Sequence, residues 1–490
     1  MAIGPDPRLG FVALSRFGYG ARGLTGDLAA SAADPRGRLQ AELERPAVAL
    51  MEASDLRNSR DCLQALFDER QRIRAERQDE NAAAAARGPG EATMAEGVRQ
   101  APLGADTGSP PSAKPKRAEP PVPQQLFRAE ALARFRKVAE AETGYVERLV
   151  QFWSNHFCVS ALKGGQVRAT AGSFEREAIR PYVLGRFGDM LKAVAQHPAM
   201  LFFLDNAQSF GPSSRAGQNR KRGLNENLAR EILELHTLGV HGGYTQSDVT
   251  SMAQMLTGWT FAGAQGQLGE PGVFTFFDRG HEPGNRTLLG KVYQAGGVEQ
   301  GEAALADLAR HPATARHIAL KLAQHFVADI PPPALVDRLE LTFRSSDGDL
   351  KATARALIDA DESWSAETAK ARSPYEFLMS AMRTVGYVPQ DERLLLAPLT
   401  VMGMPLWQPP GPNGWPDTTA AWITAKGMKS RLDVSAAIAA RLKERVDPKE
   451  LLEACFGPTA SAETRQAVAR AESRQQGLAV LLMSPEFQWR

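Results

Sequence analysis

The chain has 490 residues, with 58 Lys and Arg against 56 Asp and Glu, a formal charge of +2. That balance supplies no extended basic footprint for nucleic acid and no global attraction to an anionic membrane surface. Three widely spaced cysteines, Cys62, Cys158 and Cys455, exclude a disulfide framework and the close spacing of zinc or haem motifs.

The opening MAIGPDPRLGFVALSRFGYG lacks the basic start and long apolar run of a secretory signal. No run approaches the ~18 apolar residues of a membrane span. The expectation is a cytoplasmic protein, or a periplasmic or secreted one if a leader was removed or export occurs with a partner. Residues 9–20 read as a short apolar helix ending at Gly18 and Gly20, with helical patterns over 38–43 and 61–77. Composition then shifts. Residues 79–123 are rich in Ala, Gly, Pro and Ser and hold few large apolar side chains, so they cannot offset the entropy of ordering. We expect a disordered or weakly ordered insert, with its alanine run locally helical, between an N-terminal helical part (1–78) and a main helical domain (124–490).

One long helix is predicted over 127–158. Its last turns, TGYVERLVQFWSNHF, align Arg148, Gln151 and Asn155, with Leu149, Trp153 and His156 on the adjacent stripe. Trp153 reads as core. Asn155 and His156 stand at a helix end, where clefts form. A second amphipathic helix is predicted over 173–196, closed by His197-Pro198. The loop after it carries Arg215, Arg220, Lys221 and Arg222. Without interleaved aromatics to stack on bases, that cluster reads as a solvated loop rather than a nucleic-acid site.

The densest chemistry lies between Asn225 and Trp259. A helix there should end near Gly239, and a second should start at Thr245 with Asp248 completing its cap. At about 100° per residue His236 falls inside the apolar arc, as a core histidine bonded to a carbonyl or as a ligand. Glu231 lies about 140° away from it on an ideal helix, so any site must be assembled from several segments. Further on, 261–293 predicts a short hairpin around 278–284 with His281 at its tip beside Glu282. A helix over 311–328 aligns His317, Lys321 and Gln324, with His325 beside them. The stiff loop LTVMGMPLWQPPGPNGWPDTTAAW places Trp407 and Trp415 either on a pocket or in the core. GxGxxG, P-loop, GxSxG and HExxH signatures are absent. The fold class is mainly α: a single large helical domain with long Gly/Pro-rich loops and at most a small β-hairpin.

The segments FWSNHF, HPAMLFFLDN, GLNENLAREILELHTLGVHGGYTQSDV, LTGW, HEPGNRTLLG, GPNGWPD and SPEFQWR together resemble the bacterial domain-of-unknown-function 1800 family. The resemblance covers the whole chain except the 79–123 insert, and it implies a predominantly α-helical single domain. It also implies a genomic association with a second uncharacterised family that has a sulfatase-like fold and export signals. The residues matching the family pattern are Trp153, Asn155, His156, Asn225, Glu226, Asn227, Arg230, Glu231, His236, His281 and Trp415.

Two functional readings follow. In the first the chain is a hydrolase-type enzyme acting on an envelope polymer or a modified sugar or peptide. Glu226, Glu231, His236, His156 and His281 would do the chemistry, while Asn155, Asn225, Asn227, Arg230, Trp153 and Trp415 bind substrate. One divalent metal (zinc, manganese or iron) on His156, His236 and Glu231 would activate a water, or a carboxylate and a histidine would act without metal. In the second reading the chain is a non-catalytic partner or maturation protein for the sulfatase-like neighbour.

Overall fold

Helices form nearly all the regular structure, and two of the long helices expected from the sequence are each broken where a buried carboxylate sits. The structure is a computed structural model and describes residues 5–51, 55–86, 119–220, 223–365 and 370–490. The chain is mainly α. Among the described residues its strands form two antiparallel pairs, Trp259–Phe261 with Phe274–Phe276 and Arg286–Leu288 with Lys291–Tyr293. No helix among them is long and apolar enough to cross a membrane. Of the expected insert, 79–86 continue the helix Ser59–Ala86, and 87–118 lie outside the described residues.

The span 127–158 is two helices, Val122–Glu140 and Tyr145–His156. Gly144 turns the chain between them at φ 84, a left-handed conformation natural to glycine. The buried carboxylate of Glu42 accepts from the backbone N–H groups of Thr143, Gly144 and Val146 at 3.2, 3.2 and 3.0 Å. It thereby satisfies donors that a helix start leaves free. Because that cap arrives from far earlier in the chain, local periodicity gives no sign of it.

The span 173–196 is likewise divided: the helix Gly165–Phe174 passes through a π turn, Glu175–Ile179, before a separate helix, Phe187–Gln196. A third change of pitch follows Asn227–Glu231, where Ile232–Thr237 is a π turn and Leu238 N–H donates to the Leu233 carbonyl at 3.0 Å. Five residues there make about one turn, so the 140° offset expected between Glu231 and His236 does not apply. The predicted stop at Gly239 (φ 82) and the Thr245–Asp248 capping box are both present. His281 is not at a hairpin tip. The turn falls at Leu289 and Gly290, and His281 is buried after a short 3₁₀ turn at Asp278–Gly280.

Two apolar clusters organise the interior. One gathers Trp153, Phe157, Phe187, Ile232 and Met252; the other gathers Phe135, Tyr375, Leu395, Val434 and Leu481. Trp407 packs against both, which marks the seam between them. Buried ion pairs cross this region: Glu175 with Arg134 and Arg180, and Glu376 with Arg148 and Arg490. Charges taken out of water persist only with good geometry and further hydrogen bonds, and those contacts fix how the elements meet.

Candidate active site

A cavity of about 60 Å³ opens at the seam, with Arg134, Gln151, Tyr375, Trp407, Trp415 and Asp417 among its walls. One wall is the Pro/Trp loop, strapped to the C-terminal end of the Tyr145–His156 helix. The Asn155 amide donates to the Trp415 carbonyl at 2.9 Å and accepts from the Trp415 N–H at 2.8 Å. Gly414, at φ 75, passes so close that an added Cβ would stand 2.6 Å from the Asn155 carbonyl oxygen. Ser160 donates to the Pro409 carbonyl at 2.8 Å, and Ala161 N–H to that of Trp407, also at 2.8 Å. Trp407 itself is held at φ 50, a costly conformation for a bulky residue and one that clusters at ligand sites. Cys158 donates its thiol to the Pro412 carbonyl at 3.3 Å, and burial pushes its pKa up to about 12. It is a structural thiol, not a nucleophile.

His325 also lines the cavity and meets Asp417 of the Pro/Trp loop, with Nδ1 to Oδ2 at 2.7 Å. The other ring nitrogen, Nε2, lies 3.3 Å from an Arg148 nitrogen. A guanidinium cannot accept, so Nε2 accepts and the proton resides on Nδ1, directed at Asp417. Burial, with Arg148 adding to it, brings His325 down to about 4 against the pull of Asp417. Burial would raise Asp417, but His325, Lys370 at 3.0 Å and Arg490 outweigh it and hold this carboxyl well below its ordinary range.

Next to this pair is a second group. The helix Pro312–Phe326 carries the predicted stripe of His317, Lys321 and Gln324, with His325 beside it. The His156 ring centroid is 6.3 Å from that of His236 and 6.0 Å from that of His317. His156 Nε2 donates to the His236 carbonyl at 3.1 Å, and His317 Nε2 to that of Leu235 at 3.2 Å. Burial, Lys321 and His317 take His236 down to about 3. Lys321 is half-buried and forms no ion pair among the described residues. It acts electrostatically on His156, His236 and Cys158, and burial holds its own pKa below the ordinary lysine value against the pull of Asp417. Glu231 also acts on Cys158, which ties it into this neighbourhood. It is half-buried and forms no hydrogen bond among the described residues, and burial together with Glu234 raises it to about 7.

Asn155, His156, Glu231, His236 and Trp415 are thus brought together, and Trp153 packs beneath them as core. The remaining sequence candidates lie apart. Glu226 accepts from Arg230, Gln246 and Thr250 at 3.1, 2.8 and 2.8 Å, joining two helices near the surface. Asn225 caps Asn227 N–H at 2.9 Å. His281 donates through Nδ1 to the Thr257 carbonyl at 2.9 Å, against Phe276. The expected metal set of His156, His236 and Glu231 is not assembled. Among the described residues no group of three His, Cys, Asp or Glu side chains is disposed to hold an ion. His156 already directs Nε2 at a backbone carbonyl, and Glu231 reaches neither ring within hydrogen-bonding distance.

The sequence profile of a family described as "Protein of unknown function (DUF1800)" matches residues 12–489. The chain belongs to the DUF1800 family. No curated protein and no solved structure matches it. In this DUF1800 protein, two of the segments that carried the resemblance, FWSNHF and GPNGWPD, are the two that Asn155 and Trp415 clamp together. Asp417 and Arg490 also lie in segments that carry the resemblance, GPNGWPD and SPEFQWR, but a lone carboxylate or arginine has no meaning until its partner is known. Arg134, Tyr375 and Glu376 gave no motif at all. Each becomes notable only through a partner distant in sequence.

Proposed function

We propose that this DUF1800 protein is a hydrolase acting on a carbohydrate polymer, with Glu231 as general acid and Asp417 as the ionised companion carboxylate. The observation that supports this reading is the contrast between the two groups. Asp417 is engaged by His325 and Lys370, whereas Glu231 has no hydrogen-bond partner among the described residues and is raised to about 7. The two carboxyls act on the same Cys158–Lys321 group, and acidities driven apart suit the paired roles that acid–base hydrolysis of a glycosidic bond uses. Protonated Glu231 would deliver its proton to the leaving oxygen as the glycosidic bond breaks, while Asp417 would balance positive charge developing at the sugar. Water would then add to the sugar carbon and return its proton to the Glu231 carboxylate. Half-buried Trp407 and Trp415 supply apolar faces for sugar rings. A metal-dependent form of this reading draws on His156 and His236, whose Nδ1 atoms are buried without a partner, and needs ligands beyond those two.

The test is reducing-end release from a panel of soluble glycans by the parent, E231Q and D417N, with circular dichroism verifying the fold. Turnover that falls at least ~100-fold in folded E231Q, within the range general acids contribute, is the expected result. Turnover indifferent to both substitutions overturns the assignment. A second reading, the partner or maturation protein for a sulfatase-like neighbour, is favoured by an apolar groove of about 320 Å³ lined by Met382, Val385, Leu394, Val401 and Ile438. A pull-down with the neighbouring gene's product tests it: loss of capture in V401E supports it, and no capture by the parent removes it.

A further inference from the structure

The cavity presents donors that have no acceptors. Arg134 forms its ion pair with Glu175 through Nε at 2.8 Å, and its two terminal nitrogens donate to no group among the described residues. Gln151 accepts the Tyr19 hydroxyl on Oε1 at 2.6 Å, and its Nε2 amide has no acceptor among the described residues. The Tyr375 hydroxyl is buried with no hydrogen-bond partner among the described residues. All three side chains line the cavity, and all are more than nine-tenths buried, at 4%, 8% and 2% exposure. Burial keeps the tyrosine protonated and therefore a donor.

The carboxylates at the same place are fully engaged. Glu376 is held by Arg148 at 2.9 Å, Arg490 at 3.0 Å and the Ser373 N–H at 2.7 Å. Asp417 is held by His325 and Lys370, and Glu175 by Arg134, Arg180 and Ser154. Because Glu376 neutralises only one of its two arginines, positive charge is in excess behind the cavity. The Arg134 guanidinium lies 4.4 Å from the Tyr375 ring centroid and 5.8 Å from that of Trp407, so its plane is fixed before any ligand arrives. A rigid fork with two free nitrogens matches the two oxygens of a carboxylate.

We infer that this cavity is a carboxylate subsite: the Arg134 terminal nitrogens take both oxygens of a ligand's carboxylate, and Tyr375 and Gln151 donate to the remaining lone pairs. A cavity of about 60 Å³ admits a carboxylate-sized group and leaves the rest of the ligand under Trp407 and Trp415. Resting on the hydrolase reading, this makes the substrate an acidic sugar polymer.

Isothermal titration of the full chain with sodium D-glucuronate, sodium acetate and neutral D-glucose tests it. Glucuronate should bind at least ~10-fold more tightly than glucose, the ratio expected for a charge-assisted contact. Y375F, which removes only the hydroxyl, should weaken glucuronate ~5-fold or more without lowering Tm, and R134K should weaken it further by losing the fork. Equal affinity for glucuronate and glucose, no binding of either anion, or an unchanged affinity in Y375F would each overturn the subsite. E231Q separates the two proposals. Glucuronate binding with no turnover of any glycan retains the subsite and removes the hydrolase reading. Turnover of neutral glycans without glucuronate binding does the reverse.

Discussion

Asn155 and Trp415 exchange two hydrogen bonds, so one side-chain amide serves the Pro/Trp loop as a neighbouring strand would. N155A removes both bonds and leaves two backbone groups of a half-buried loop unsatisfied. A loss on the order of 1–3 kcal/mol is expected in urea unfolding. N155D retains the acceptor for the Trp415 N–H and should fall between. G414A is expected to be at least as damaging, because φ 75 is strained for alanine and its Cβ would meet the Asn155 carbonyl oxygen at 2.6 Å. Equal stability of N155A and parent would show that the loop is held by its prolines alone.

How much of this could be read in the sequence depends on whether a residue's partner is near it in the chain. The Thr245–Asp248 cap, the stop at Gly239 and the polar stripe of His317, Lys321 and Gln324 with His325 beside it were legible because each is a local pattern. The helix break at Gly144 was not, since its cap is the carboxylate of Glu42. The π turn at Ile232–Thr237 defeated an argument that assumed a constant pitch, and it carries His236. Within the site, Asn155, His156, Glu231, His236 and Trp415 were found through their motifs, whereas Tyr375 and Arg134 are ordinary residues until the cavity shows their donors without acceptors.

Glu231 gives a pH dependence of definite sign. Its folded pKa, raised to about 7 from 4.5 by burial and Glu234, means that the folded state binds more protons than the unfolded state between those values. Its contribution to stability is therefore full below about 4.5 and declines as pH rises through 7. E231Q should be less sensitive than the parent to pH between 5 and 8 in guanidinium titrations. On the hydrolase reading, kcat/KM should fall above about pH 7, as the acid loses its proton. Stability profiles of parent and E231Q that run parallel across that range would contradict the raised pKa.

The histidines act in the opposite direction. Burial takes His236 from 6.5 to about 3, His317 to about 4 and His325 to about 4, so each is neutral in the folded protein. Unfolding lets them take up protons once pH drops below about 6.5, and stability is lost progressively from there towards 4. Each depressed histidine adds up to about 1.4 kcal/mol per pH unit to that slope. H317N, at a half-buried position, should reduce the slope measured by urea unfolding at pH 7, 6 and 5. A slope unchanged by H317N would place the acid sensitivity elsewhere.

Glu376 has two roles that one pair of substitutions separates. Its carboxylate completes the capping box of the helix Pro374–Val385 with Ser373, and it also holds Arg148 and Arg490. Burial would raise its pKa, but the two arginines bring it down to about 2. Its stabilisation is therefore present above the ordinary glutamate range and lost as pH falls towards 2. Glutamine can still complete a capping box, so E376Q isolates the charge. It leaves two buried guanidinium groups facing a neutral amide, which is expected to cost about 3–5 kcal/mol. E376A removes the cap as well and should cost about 1 kcal/mol more. The measurement is urea unfolding at pH 7 with the seam monitored by tryptophan fluorescence. A cost below about 1 kcal/mol for E376Q would mean that backbone carbonyls alone suffice for Arg490, which already donates to those of His325 and Phe326 at 2.8 and 3.2 Å.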